Sequence, residues 1–169
     1  MNTACKARLD HLDPIRAFLM AHHARLAATD YQKDTYFDVP QGKLKLREGT
    51  VENALIHYDC TARIDPSFGD SGYFLLESAK IGALVSILDK ALGTRAVVEK
   101  KREIYFIDNV KFHLDEVKDL GCFLEIEAVD VDDSATPEAL AAQCCAYREA
   151  LGIREEDLLT RSYSDLQQL

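Results

Sequence analysis

The sequence predicts an α+β domain built mainly of antiparallel strands, and three features predict it. Apolar and charged residues alternate with period two in stretch after stretch. Short turns rich in Gly, Pro and Asp separate those stretches, and three segments switch to helical spacing. At 169 residues the chain is long enough to bury a core as one domain, and no linker or internal repeat divides it.

Residues 2–9 alternate weakly, with Asn2, Ala4, Lys6 and Arg8 on one face, and read as a short first strand. Asp13-Pro14 then offers an N-cap and a proline at the first helical position. Ile15, Phe18, Leu19, His22 and Leu26 follow along one stripe, so the spacing predicts a helix to about Ala28. The adjacent His22 and His23 would point in different directions on that helix, which argues against a metal pair. Tyr31 to Val39 reads as extended and ends in a Pro40-Gln41-Gly42 turn. Lys43 to Arg47 then alternates, with Lys43, Lys45 and Arg47 on one face and Leu44 and Leu46 on the other.

Ala54 to Cys60 reads as its partner strand, residues 61–71 as a polar loop, and Tyr73 to Glu77 as a further strand. Lys80 to Leu92 has helical spacing and is closed by Gly93. Residues 94–107 form another strand with charge on both sides: Lys100 and Arg102 share a face with Val98 and Ile104, opposite Glu99, Lys101 and Glu103. Which side points inward is left open. The clearest stretch runs from Asn109 to Val131. Val110, Phe112 and Leu114 alternate there with Lys111, His113 and Asp115. After a turn at Lys118-Asp119-Leu120-Gly121, Cys122, Leu124, Ile126 and Ala128 alternate with Glu125 and Glu127. Thr136-Pro137-Glu138 starts a third helix that ends at Gly152, and the tail reads as a short amphipathic turn with an extended end.

Composition narrows the function. No run of about 18 apolar residues suggests a membrane-spanning helix, and the start has no signal-type apolar core, so a cytoplasmic protein is expected. The five cysteines are scattered without a C-x-x-C pair and read as reduced thiols, with Cys5, Cys60 and Cys122 as small wall residues. The net charge is -9, yet residues 1–114 carry 16 Lys and Arg against 15 Asp and Glu, while residues 115–169 carry 4 against 14. Such a balance excludes a general nucleic-acid binder. Apolar surface outside the strands leaves room for a homodimer.

Collected together, the polar strand faces hold Lys6, Arg8, Lys43, Lys45, Arg47, Lys100, Arg102, Lys111 and His113, with Asp115, Glu125 and Glu127. On an open sheet they would meet water. On a sheet curled around them they would line a lumen, and so many cations tolerate burial only beside a polyanion or water. Lys and Arg match phosphate oxygens, carboxylates suit magnesium or manganese, and His113 with Asp115 could move a proton.

Four motifs in order carry a resemblance: the K-A-R-L near the start, DTYFDVPQGKLKLRE at 34–48, VVEKKREIYF at 97–106 and NVKFHLDEVKDLGCFLEIE at 109–127. With LGIREEDLLTRSYSDL at 151–166, they make nearly the whole chain similar to the CYTH family of class IV adenylate cyclases and thiamine triphosphatases, the triphosphate tunnel metalloenzymes. The resemblance implies a closed antiparallel β-barrel of about eight strands with helices outside. It implies a basic tunnel in which Lys6, Arg8, Lys43, Lys45, Arg47, Lys100 and Arg102 bind substrate. Lys111, His113 and Asp115 would serve catalysis, and Glu125 and Glu127 would hold magnesium or manganese. The family's E-x-E-x-K motif keeps its lysine as Lys6 but places Asn2 and Ala4 at the glutamate positions, and Cys60 stands where cyclase-like members carry arginine. The expected partner is a phosphorylated small molecule, a nucleoside triphosphate or a polyphosphate, with neither nucleic acid nor membrane. The expected activity is cyclase, lyase or phosphohydrolase. A metal-independent lyase or cyclase acting on another anion and a binder without catalysis are the alternatives.

Overall fold

The structure, a computed structural model, describes residues 2–58, 72–132 and 134–167. Eight antiparallel strands form one sheet: β1 (Asn2–Leu9), β2 (Arg25–Phe37), β3 (Lys43–Gly49), β4 (Ala54–Tyr58), β5 (Gly72–Leu75), β6 (Thr94–Ile107), β7 (Val110–Val117) and β8 (Gly121–Val129). Their order is β1-β8-β7-β6-β2-β3-β4-β5, and the sheet curls into a half-barrel. Here the outcome differs from the closed barrel expected above. Among the described residues β1 and β5 stand at the two edges, and no ladder joins them. β5 has only four residues, all exposed. Asp59, Cys60 and the polar stretch 61–71 lie outside the described residues.

The apolar faces of the alternating strands turn to the convex side, where helices cover them. α1 (Asp13–Ala21) and α3 (Pro137–Ala150) pack on Ala7, Val110, Phe112, Leu114, Leu124, Ile126 and Ala128, the main core. α2 (Ile81–Leu92) covers Phe37 and Leu46 further along the sheet. Burying these side chains drives the curl, at about 25 cal/mol for each Å² of apolar surface removed from water. Thr136 caps α3, its hydroxyl accepting from the Ala139 N–H at 3.2 Å.

Three further expectations differ from the structure. α1 stops at Ala21, seven residues short of Ala28. His22 stacks on Phe18, His23 takes φ 55°, and the chain turns directly into β2. The helical stripe reached Leu26 by coincidence; that side chain is exposed on a strand. Residues 25–37 pair with β6 at twelve positions, and this long ladder outweighs the helix propensity of Ala27 and Ala28. Asp13 is the first helical residue rather than the cap, and its carboxylate pairs with Arg16 at 2.7 Å. The tail also departs from an extended end. It makes a 3-10 turn at Glu155–Asp157, a bridge from Leu158 to Ala7, and a short helix α4 (Tyr163–Leu166). α4 lies on the concave side, where Tyr163 joins Tyr36, Val98, Val117 and Phe123 in a second buried cluster.

Candidate functional site

Register decides which side chains share the concave face, because directly paired residues in an antiparallel ladder point the same way. The β6–β7–β8–β1 ladders place Arg102, Asp115, Phe123 and Arg8 in one row. Ile104, His113, Glu125 and Lys6 form the next row, and Phe106, Lys111, Glu127 and Ala4 the third. Toward the other edge, Val98 pairs with Asp34 and Asp34 with Arg47, while Tyr36 pairs with Lys45. The inward side of β6 is therefore the Lys100–Arg102 side. Glu103 faces outward and is held by Arg16 of α1 at 2.9 Å.

The charged groups form two clusters of different balance. In the first, Asp34 of β2 is buried and receives three cations: Arg47 Nε at 2.8 Å, Lys100 Nζ at 2.8 Å and Lys45 Nζ at 3.0 Å. Burial alone would raise the Asp34 carboxyl, but Lys45, Lys100 and Arg47 overcome it and hold it well below the usual carboxylate range. One carboxylate cannot neutralise three cations. Burial accordingly pushes the Lys45 ammonium down to about 7 and that of Lys100 down to about 8, with Asp34 opposing both shifts. Lys45 also lies 5.5 Å and 5.8 Å from the Tyr36 and Tyr58 ring centres.

The second cluster is balanced. Arg102 donates through Nε and Nη2 to the two oxygens of Asp115 at 2.7 and 2.6 Å, and Tyr163 donates its hydroxyl to the same carboxylate at 2.7 Å. Burial would raise Asp115, yet Arg102 brings it down to about 2. At neutral pH Asp115 is therefore an ionised counter-ion with no proton to give. Glu125 accepts from Arg102 at 3.3 Å and from His113 at 3.4 Å, and Lys6 stands 3.9 Å away. Burial and then Arg102 lower the His113 imidazole, which is neutral at pH 7. Glu127 accepts from Lys111 at 3.0 Å and from the Asn2 side-chain amide. Lys6, Arg102 and Lys111 thus face the three carboxylates of Asp115, Glu125 and Glu127.

That balance bears on the metal implied by the resemblance. Glu125 and Glu127 are already occupied by fixed cations, and Ala4 lies opposite Glu127 across the ladder. Among the described residues no group of three or more His, Cys, Asp or Glu is arranged to hold an ion. The residues present do not fit a divalent centre, which asks for about six oxygen ligands.

Of the other expected residues, Lys43 reaches Ser162 and Asp165 of the tail. Arg8 lies exposed at the rim and donates to the Leu120 carbonyl at 2.8 Å. Asp34, Tyr163, Ser162 and Asp165 were not among the expected site residues. The cavity at this mouth, lined by Tyr36, Lys43 and Arg95, is about 10 Å³, room for a single water. A larger cleft of about 570 Å³ opens on the convex face beside Tyr31, Lys33, Glu48, Glu99, Lys101 and Glu116. Of the lysines lining it, Lys33 pairs with Glu48 at 3.5 Å, Lys101 with Glu116 at 3.9 Å and Lys118 with Glu99 at 2.6 Å, while Lys100 turns its ammonium to Asp34.

The CYTH domain profile matches residues 2–163. A protein of Methanocaldococcus jannaschii named as a candidate adenylate cyclase is 30% identical over 82 residues, which are 47% of this chain and 46% of that protein, so the match spans about half of each. Among solved structures, the PH1012 protein of Pyrococcus horikoshii aligns with a TM-score of 0.84 and 25% identity over 98% of this chain and 99% of its own. A candidate adenylate cyclase from Vibrio parahaemolyticus aligns at 0.79 with 19% identity, covering 99% and 98%. A Hippeastrum protein, named as a candidate adenylyl cyclase and described as having a dominant triphosphatase activity, aligns at 0.61 with 16% identity, covering 99% and 94%.

Proposed function

The chain belongs to the CYTH domain family, and from that premise we propose that its concave face binds the phosphate chain of a nucleoside triphosphate or polyphosphate and cleaves a phosphoanhydride bond in it. The observation that carries this reading is the excess of cation around Asp34. Lys45, Arg47 and Lys100 converge on one carboxylate, and an incoming phosphate supplies the negative charge that the cluster lacks. Arg102, Lys6 and Lys111, each beside a carboxylate, add further N–H donors along the neighbouring rows. Held against these groups, the charge that builds up on the phosphoryl oxygens is neutralised by preorganised donors. In cyclisation the substrate's own hydroxyl attacks the α-phosphorus and pyrophosphate leaves. In hydrolysis water attacks and phosphate leaves. In this reading neutral His113 accepts the proton of the attacking hydroxyl or water.

α4 occupies the space that substrate needs, with Tyr163 between Lys6 at 4.5 Å and Lys100 at 5.9 Å. This filling favours a second reading, phosphate binding without turnover, in which the tail competes with the ligand. One experiment separates the two. Calorimetric titration with inorganic triphosphate and ATP, paired with assays for released phosphate and pyrophosphate, is expected to give saturable binding and product. The Lys100→Met variant is expected to bind about tenfold or more weakly, since a charge-assisted contact is worth about 1.5–3 kcal/mol. Binding without product supports the second reading, and absence of binding refutes both.

A further inference from the structure

The second charge cluster is balanced by its own side chains. Resting on the phosphate-binding reading above, we propose that the site handles its anion without a divalent cation, and that the Lys111 ammonium supplies the positive charge a metal would bring.

Three observations carry it. First, β1 sets Ala4 opposite Glu127 and Lys6 opposite Glu125, and Asn2 turns its amide N–H rather than its oxygen to Glu127, so a methyl, a cation and an N–H donor stand where a cation-binding pocket needs oxygens. Second, β7 answers the same two glutamates with a base and an imidazole: Lys111 lies 3.0 Å from Glu127 and His113 3.4 Å from Glu125. The third acid, Asp115, has both oxygens taken by Arg102 and one shared with Tyr163. Third, the cluster is already neutral, with Lys6, Arg102 and Lys111 against three carboxylates. A dication inserted there would sit unneutralised beside three fixed cations in a half-buried place, where like charges repel more strongly than in water. Arg102 is buried and shared between Asp115 and Glu125, and Lys6 lies against the Tyr163 ring, 3.9 Å from its acid, whereas Lys111 is a quarter exposed and held at 3.0 Å by Glu127 alone. Its three N–H donors can keep Glu127 and still reach a phosphate oxygen.

Two titrations of the purified full chain test this. With manganese alone, read by the loss of its free-ion electron paramagnetic resonance signal, no saturable site tighter than about 1 mM is expected, a range typical of weak carboxylate sites. With inorganic triphosphate in excess EDTA, calorimetry is expected to show binding. Lys111→Met is expected to weaken that binding about tenfold while Lys111→Arg retains it. In Ala4→Glu/Lys111→Met, two carboxylates would face each other across the β1–β8 ladder, and manganese binding is expected to appear. Should the double variant fail to fold, the wild-type titrations and the single variants decide the matter. Stoichiometric manganese binding by the wild type, or unchanged triphosphate affinity in Lys111→Met, would overturn the proposal. Triphosphate binding that disappears in EDTA and returns with magnesium would overturn it too, while leaving the phosphate-binding reading intact. No binding in either condition refutes both.

Discussion

Lys45 is the residue where structure and chemistry meet most sharply. It is a lysine that burial has brought down to about 7, beside a second at about 8, and each stands on an acid that it must share. An anion at this place stabilises the charged form of both lysines, so binding and protonation are linked. The sign follows: affinity for phosphate is highest when both are protonated, below about pH 7, and falls as pH rises through the two values. Inorganic triphosphate should lose at least about tenfold in affinity between about pH 6 and pH 9. Near pH 7.5 its binding should take up protons, measurable by calorimetry in buffers of different ionisation enthalpy. A flat profile with no proton uptake would place the anion elsewhere. The sequence marked Lys43, Lys45 and Arg47 because they alternate with leucines. It left Asp34 unmarked because β2 around it is polar on both faces, and period two has no contrast there. One signal was available: Asp30, Gln32, Asp34 and Tyr36 recur at every second position, and all four are buried.

Among the elements, the central hairpin of β7 and β8 was the most legible, since Val110, Phe112 and Leu114 alternate with Lys111, His113 and Asp115, and Leu124, Ile126 and Ala128 with Glu125 and Glu127; Glu116, Val117 and Phe123 break the pattern. The face of β6 was not, because both of its sides carry charge; only pairing with Asp30 and Asp34 on β2 settles that Arg102 and Val98 turn inward. α4 was the element that local pattern concealed. Four residues leave no helical period to detect, and its position depends on contacts with Lys43, Asp115 and Lys6 that are distant in sequence. Asp165 works as a latch, tying α4 to Lys43 across the concave face. Asp165→Asn is expected to cost less than about 1 kcal/mol in a urea titration, because this pair is partly exposed. It is also expected to raise affinity for inorganic triphosphate several-fold by freeing Lys43 and loosening the tail, a gain of about 1 kcal/mol. Unchanged or weaker binding would mean that α4 does not compete with the ligand.

Across the whole molecule, one curled sheet sorts most of its residues by side: the main apolar core and its helices lie on the convex face, and the charge clusters around Asp34 and Glu125 on the concave one. Alternation in the sequence specified that sorting, and the row of cations with it. What alternation could not specify is how the charges are neutralised, because register between strands far apart in the chain sets each partner. The closed barrel was expected from resemblance, yet the described residues form an open order of eight strands with α4 on the concave side. The account therefore depends on the concave face being where phosphate goes. A crystal structure of the protein soaked with inorganic triphosphate tests this most directly. The account predicts phosphate oxygens within hydrogen-bonding distance of Lys45, Arg47 and Lys100, with Tyr163 displaced. Triphosphate seated instead in the convex cleft beside Lys33 and Lys101, with Asp34 still holding its three cations, would contradict it.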